Sequence, residues 1–216
     1  EPEPEPEPSP PPPDPTSSGS QATDKAALLA TKTDRNSLVG WSEDSQPCDG
    51  GWHGVRCHSA AEAGRVVFVS IGPGFLTSAV DVAGFVGVAA LMHLNLHGNS
   101  RVRGNVACLG ALHELRYLNL RQTSVHGLIS SLDTLLHLGD CWAPFEGWED
   151  ADETDCTQRP SFGLYGGGLY LADTGVFGDV TLLQALPHLG KEWNIRLDGS
   201  YTSCSGYSGF FTECED

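Results

Sequence analysis

The sequence predicts an α/β solenoid, with short parallel strands stacked along one axis behind an extended N-terminal arm. Two observations carry that prediction. Leu91-Met-His-Leu94-Asn-Leu96-His-Gly-Asn99 recurs 24 residues later as Leu115-Arg-Tyr-Leu118-Asn-Leu120-Arg-Gln-Thr123. Each copy is then followed by Val-x-Gly-x-Val/Ile, at Val102, Gly104 and Val106 and again at Val125, Gly127 and Ile129. A fixed period of this length marks a stack of supersecondary units, none of which can bury its apolar face alone.

Residues 1–15, EPEPEPEPSPPPPDP, hold nine of the 14 prolines, with acids at Glu1, Glu3, Glu5, Glu7 and Asp14. Proline fixes φ and removes a donor, so the segment favours an extended polyproline II rod of about 45 Å, stretched further by its like charges. Thr16 to Ala22, TSSGSQA, reads as a flexible joint, which sets the arm at residues 1–22. Ser9-Pro10-Pro11-Pro12-Pro13 resembles the repeated element of extensins and other hydroxyproline-rich glycoproteins. That resemblance implies hydroxylation and O-glycosylation at Pro2, Pro4, Pro6, Pro8, Pro10, Pro11, Pro12, Pro13 and Pro15. The competing reading is a bare solubilising linker. No Asn-x-Ser/Thr triplet occurs, so any sugar is O-linked.

Residues 23–65 read as a cap. Thr23-Asp24-Lys25-Ala26-Ala27-Leu28-Leu29-Ala30 predicts a capped helix, followed by Trp41 and by Cys48-Asp-Gly-Gly-Trp52-His-Gly54-Val55-Arg-Cys57. Helix, both tryptophans, Gly-Val and both cysteines stand in the order of the plant-type N-terminal cap of leucine-rich repeat proteins, which the segment resembles. The resemblance extends over residues 23 to about 203 and implies a right-handed superhelix with its parallel sheet on the concave face. One departure is plain: the family's proline after Gly-x-Val/Ile is absent from every copy.

Residues 66–199 hold the repeats. Further copies are expected at Val66-Val-Phe-Val69-Ser-Ile71, at a degenerate Leu138-Gly-Asp-Cys141-Trp-Ala143, at Leu169-Tyr-Leu171-Ala-Asp-Thr174-Gly-Val176-Phe-Gly178 and at Ile195-Arg-Leu197-Asp-Gly-Ser200. An acidic insertion over about 144–165 interrupts them. In Leu-x-x-Leu-x-Leu the fourth and sixth positions point inward and the residues between them outward, as the two-residue strand period demands. Asn99, Thr123, Thr174 and Ser200 follow as small polar groups able to bond the backbone where the chain turns. Residues 200–216 are expected to close the far end.

Seven cysteines suggest three local disulfides, Cys48 with Cys57, Cys141 with Cys156 and Cys204 with Cys214, each stapling a segment outside regular repeat packing. Cys108 is left over as a half-buried thiol. Disulfides and the absence of a starting Met fit a mature secreted chain in an oxidising, extracellular setting. The formal charge of −16 repels phosphate backbones and anionic membranes, and no run of about 18 apolar residues suggests a membrane span. Nucleic acid is therefore not an expected partner.

No catalytic motif, phosphate loop or zinc spacing is present, so neither an enzyme nor a cofactor is expected. His93 and His97 share a strand face but lie about 13 Å apart, too far to chelate one ion. The run Glu149 to Asp155 offers carboxylates yet lacks the glycine and terminal glutamate of a calcium loop, and reads as solvated. What remains is a face: His93, Asn95, His97, Tyr117, Asn119, Arg121, Trp142, Tyr170 and Arg196 project from the stacked strands, with Phe68 and Ser70 beside them. Aromatic, amide and guanidinium groups carry binding energy at interfaces. Two functions compete. In the first, the chain is a structural subunit of extracellular matrix or cell wall that self-assembles into fibrils through its arm. In the second, it is a recognition module, resembling receptor ectodomains or secreted polygalacturonase inhibitors, that binds a protein, peptide or glycan on the concave face.

Overall fold

The structure, a computed structural model, describes residues 20–32, 38–58, 64–140, 167–189, 195–196 and 201–203, the last two groups by backbone alone. The arm, the acidic insertion and the C-terminal cysteines, with the expected bridges Cys141–Cys156 and Cys204–Cys214, lie outside the described residues.

Helix α1, Gln21–Thr31, begins two residues before the sequence suggests, inside the expected joint. The reason is a reciprocal cap: the Thr23 N–H donates to Ser20 Oγ at 3.3 Å and the Ser20 N–H to Thr23 Oγ1 at 3.4 Å. Its inner side presents Leu28 and Asp24, both fully buried. A buried carboxylate needs every lone pair occupied. Asp24 accepts from Arg65 Nε at 2.8 Å, from Arg65 Nη2 at 2.9 Å and from the Val66 N–H at 3.0 Å. These bonds hold the Arg65 guanidinium above its ordinary pKa against the opposing effect of burial. The helix is thus fastened to the start of the first repeat.

The rest of the cap is knotted by Trp41 and Trp52, stacked at 5.0 Å, and by the Cys48–Cys57 disulfide. Both indoles find acceptors, Trp41 on the His53 carbonyl at 3.0 Å and Trp52 on Ser45 Oγ at 2.7 Å. Strand β1 (Val55–Cys57) runs antiparallel to β2 (Val66–Ser70) and begins the main sheet.

From β2 the chain coils. Strands β4 (His93–Asn95), β6 (Tyr117–Asn119), β8 (Gly168–Tyr170) and β10 (Ile195–Arg196) add in parallel, giving the six-stranded order β1-β2-β4-β6-β8-β10. A second parallel sheet runs along another side of the coil. It comprises β3 (Val80–Asp81), β5 (Val102–Asn105), β7 (Ser124–Leu128), β9 (Gly175–Asp179) and β11 (Tyr201–Ser203), in the order β11-β9-β7-β5-β3. This sheet is built from the Val-x-Gly-x segments. The 3-10 segments Val82–Gly87, Val106–Ala111, Ile129–Leu132 and Val180–Ala185 follow its strands. Between these layers Leu94, Leu118, Leu169, Val106, Ile129 and their equivalents form one continuous core.

One expected repeat is not a strand of the main sheet. Leu118 of β6 pairs directly with Leu169 of β8, so the copy at 138–143 contributes nothing between them. Leu138 is buried as the last apolar residue of its coil. The next two inward positions would fall on Cys141 and Ala143, smaller than the leucines they replace, whereas Leu169 and Leu171 restore them after the insertion.

The buried polar column behaves as expected where it is described. Asn99 Nδ2 reaches the Ile71 and Leu96 carbonyls at 3.1 and 3.0 Å, while its Oδ1 accepts from the Leu76 N–H at 3.0 Å. Thr123 Oγ1 donates to the Leu120 carbonyl and Thr174 Oγ1 to that of Leu171. Ser200 lies outside the described residues.

The missing proline has a structural counterpart. Asp81, Asn105 and Asp179 cap the 3-10 segments by accepting, through Oδ1, from the N–H of Ala83, Ala107 and Thr181 at 2.9, 3.0 and 2.8 Å. A proline at those positions would have no N–H to give. The glycine of the following repeat makes room for the cap: a Cβ on Gly104 would stand 2.5 Å from Asp81 Oδ1, and one on Gly127 would stand 2.3 Å from Asn105 Oδ1. Both glycines also sit at φ near +120°, at 120 and 121, where a side chain is strained. At Leu128 the pattern breaks, since a half-exposed leucine stands at the cap position and the segment has no side-chain cap bond.

Two predictions test this scaffold. Asp24→Asn keeps the shape but removes the buried negative charge that Arg65 and the Val66 N–H bond, and should lower unfolding free energy by about 3 kcal/mol in urea denaturation. Leu128→Asn supplies the absent cap, with Gly178 above it already free of a side chain, and should raise stability by about 1 kcal/mol in the same measurement.

Candidate functional site

Strand register fixes which outward residues meet. In the six-stranded sheet Arg56 pairs with Phe68, Phe68 with His93, His93 with Tyr117 and Tyr117 with Gly168, which makes one row across five strands. Ser70, Asn95, Asn119, Tyr170 and Arg196 make a second. Parallel pairing continues beyond the strands, because the Gly98 N–H donates to the Arg121 carbonyl at 2.9 Å, and this brings His97 and Arg121 onto neighbouring coils.

Strands spaced about 4.8 Å apart bring like positions to stacking distance. The Phe68 and His93 rings are 4.2 Å apart at 18°, and His93 and Tyr117 are 4.2 Å apart at 2°. Opposite Tyr117 stands Gly168, and Tyr170 from the second row closes the ladder at 5.3 Å and 38°. The ladder is more buried than an outward position suggests. His93 is 3% exposed and Phe68 is 7% exposed, so the expectation that His93 shows its ring to solvent is corrected. Burial pushes the His93 pKa down to about 3, and the ring stacks as a neutral arene. Tyr117 is pushed up to about 12, chiefly by burial; the bond from Asn119 and the charge of Arg121 act in the opposite sense.

Asn95 and Asn119 are half-committed to the scaffold. Each accepts through Oδ1 from the N–H two residues on, at His97 and Arg121, both at 3.2 Å. Their amide nitrogens reach Ser70 Oγ at 3.3 Å and Tyr117 Oη at 3.2 Å. Arg121 is partly buried, and its Nε is fully shielded with no hydrogen-bond partner. At the edge of the sheet His53 and Phe75 add a stacked pair at 5.1 Å. No period in the sequence announces that pair, because the cap and the first repeat meet only in the folded chain. Trp142 lies outside the described residues, and Arg196 is placed by backbone register alone.

The charge on this face is one-sided. Among the described residues its outward positions carry Arg56 and Arg121 with His97 beside them and no carboxylate, in a chain with 12 Lys+Arg against 28 Asp+Glu, while the exposed Asp173 follows Ala172, the counterpart of Arg121, at the strand-exit edge. Asp140 stands at the strand-entry edge, 3.7 Å from Arg116. No group of three or more His, Cys, Asp or Glu suited to a metal ion occurs among the described residues.

Residues 21–58 match the leucine rich repeat N-terminal domain family. The fold is the plant-type leucine-rich repeat solenoid. It is similar to a plant ice-binding protein at 19% identity and a TM-score of 0.60, over 85% of this chain and 50% of that one. The BIR2 ectodomain from Arabidopsis thaliana gives 17% identity and a TM-score of 0.59, over 87% of this chain and 96% of that one. The ectodomain of the Arabidopsis receptor kinase HAESA, solved in complex with an N-terminal extended IDA peptide hormone ligand, gives 19% and 0.57, over 85% of this chain and 26% of that one. The chain thus spans half of the ice-binding protein and about a quarter of the HAESA ectodomain. No curated protein sequence matches it. The shared property is the leucine-rich repeat fold.

The buried histidine gives a pH signature. Below pH 6.5 the unfolded chain takes up a proton that folded His93 refuses until about pH 3, so stability is lost as pH falls through that window. His93→Phe keeps the ring in the ladder and removes this dependence. Urea denaturation at pH 7, 5.5 and 4.5 should show the native chain losing up to about 1.4 kcal/mol per pH unit more than the variant.

Proposed function

We propose that this solenoid is an extracellular recognition module whose six-stranded sheet face binds a protein or peptide partner of acidic character. The observation that carries the reading is the one-sided face: a row of stacked rings flanked by arginine and histidine, with no acid at its described outward positions. Tyr and Arg are enriched among residues that dominate interface energies. The partly open Arg121 guanidinium can pair with a carboxylate. The Cys48–Cys57 disulfide supports an oxidising, extracellular compartment, and the HAESA ectodomain gives a precedent of the same fold holding a peptide.

The test is a panel of acidic extracellular peptides and proteins screened against the immobilised full chain, with affinities measured by interferometry. Arg121→Ala and Tyr170→Ala should each weaken a true ligand at least tenfold, about 1.4 kcal/mol, while the exposed Glu114→Ala leaves it unchanged. Ligands that bind all three variants like the native chain would overturn the assignment of this face.

A further inference from the structure

Resting on that reading of the face, we propose that its partner is the chain's own acidic proline-rich segment, residues 1–15, supplied by a second copy. Charge complementarity is the first argument. The segment carries Glu1, Glu3, Glu5, Glu7 and Asp14 and no cation, and the face carries Arg56 and Arg121, with Arg196 at a register position of its last strand, and no described outward acid. The segment and the face are opposite in sign.

Shape is the second argument. Polyproline II ligands dock on aromatic-lined surfaces because the backbone is extended beforehand and little ordering entropy remains to be lost. The face offers the partly open Tyr117 and Tyr170 and, at its edge, the His53–Phe75 stack. At about 3.1 Å per residue, acids at every second position recur roughly every 6 Å, and Glu1 to Glu7 span roughly 19 Å. Six strands at about 4.8 Å extend roughly 24 Å from first to last, so the acidic half of the segment matches the width of the sheet.

The third argument concerns which copy supplies it. The described chain starts at Ser20, the cap of α1, and α1 lies on the 3-10 segment Val82–Gly87: the Cβ positions of Gly84 and Gly87 abut Thr31 and Ala27. The core leucines separate that segment from the six-stranded sheet. Ser20 itself lies toward the strand-entry edge of the sheet, because Asp24, one turn on, bonds Arg65 and the Val66 N–H at the start of β2. A stiff proline-rich rod does not double back readily around its own cap, whereas it can extend to a neighbour. Such a contact is heterologous: one copy's arm meets another's face, and the neighbour's arm is left for a third.

Sedimentation velocity of the full chain over a range of concentrations tests this. The expected result is reversible association that weakens at least tenfold when salt is raised from about 0.05 M to about 0.5 M, because these charges sit at the surface. A synthetic peptide of residues 1–15 should dissolve the association. Arg121→Gln should weaken it at least tenfold, and so should the arm variant Glu1→Gln, Glu3→Gln, Glu5→Gln, Glu7→Gln, which leaves the solenoid untouched. Cross-linking an equal mixture of isotopically labelled and unlabelled chains should join arm to face between different copies. A monomer at every concentration, or association indifferent to the peptide and to both variants, would overturn the proposal; so would arm-to-face links confined to single copies. An Arg121-dependent external ligand found for a monomeric chain would leave the recognition reading standing while removing the arm as its partner.

Discussion

Every feature of this chain answers to one constraint: a single coil of about two dozen residues has no interior of its own. Leu94, Leu118 and Leu169 are fully buried because each is covered by the coil before and after it. The polar backbone obeys the same rule. Asn99 closes the inner turn of its coil by bonding carbonyls on two successive coils, which apolar contacts alone would leave stranded. A stack of this kind is only as sound as its ends, and the near end is secured by the pairing of β1 with β2 and by one buried carboxylate. Asp24 reaches from the cap helix to the side chain of Arg65 and the backbone of Val66, so cap and first coil are a single hydrogen-bonded unit.

The same spacing that builds the core writes the surface. Residues at one strand position recur at stacking distance whatever their chemistry, so Phe68, His93 and Tyr117 become a ladder without any local signal to make one. Packed rings exclude water from His93, which keeps it neutral down to about pH 3. The cations on the face are guanidinium groups, arranged beside tyrosines in an otherwise acidic molecule. Electrostatics of this sort act over a Debye length and govern which partners approach, while the aromatic surface supplies contact area.

The reach of sequence reasoning can be followed residue by residue. The Leu-x-x-Leu-x-Leu period located β4, β6 and β8, and the motif from Asp24 to Cys57 located the cap with its disulfide. Val-x-Gly-x-Val/Ile was visible as a repeat, but its role as the strands of a second sheet was not foreseen. Its alternation spans too few residues to distinguish a strand from a turn. The copy at 138–143 deceived because Leu138 fits the pattern, and only the direct pairing of β6 with β8 shows that the coil resumes after the insertion. His93 was correctly placed on the outward side, yet its burial depends on Phe68 and Tyr117, which lie 25 and 24 residues away.

By itself, the sequence determined the architecture. Periodic leucines, glycines at fixed offsets and a cap motif are local demands, and each coil repeats them with neighbours of its own kind. Tertiary structure alone decided the character of the face: which rings stack, which histidine loses its charge, which asparagine is half-committed to the backbone, and which guanidinium nitrogen is left unpaired. Those properties belong to pairs of residues a whole coil apart, and they come into being only when the strands are brought into register.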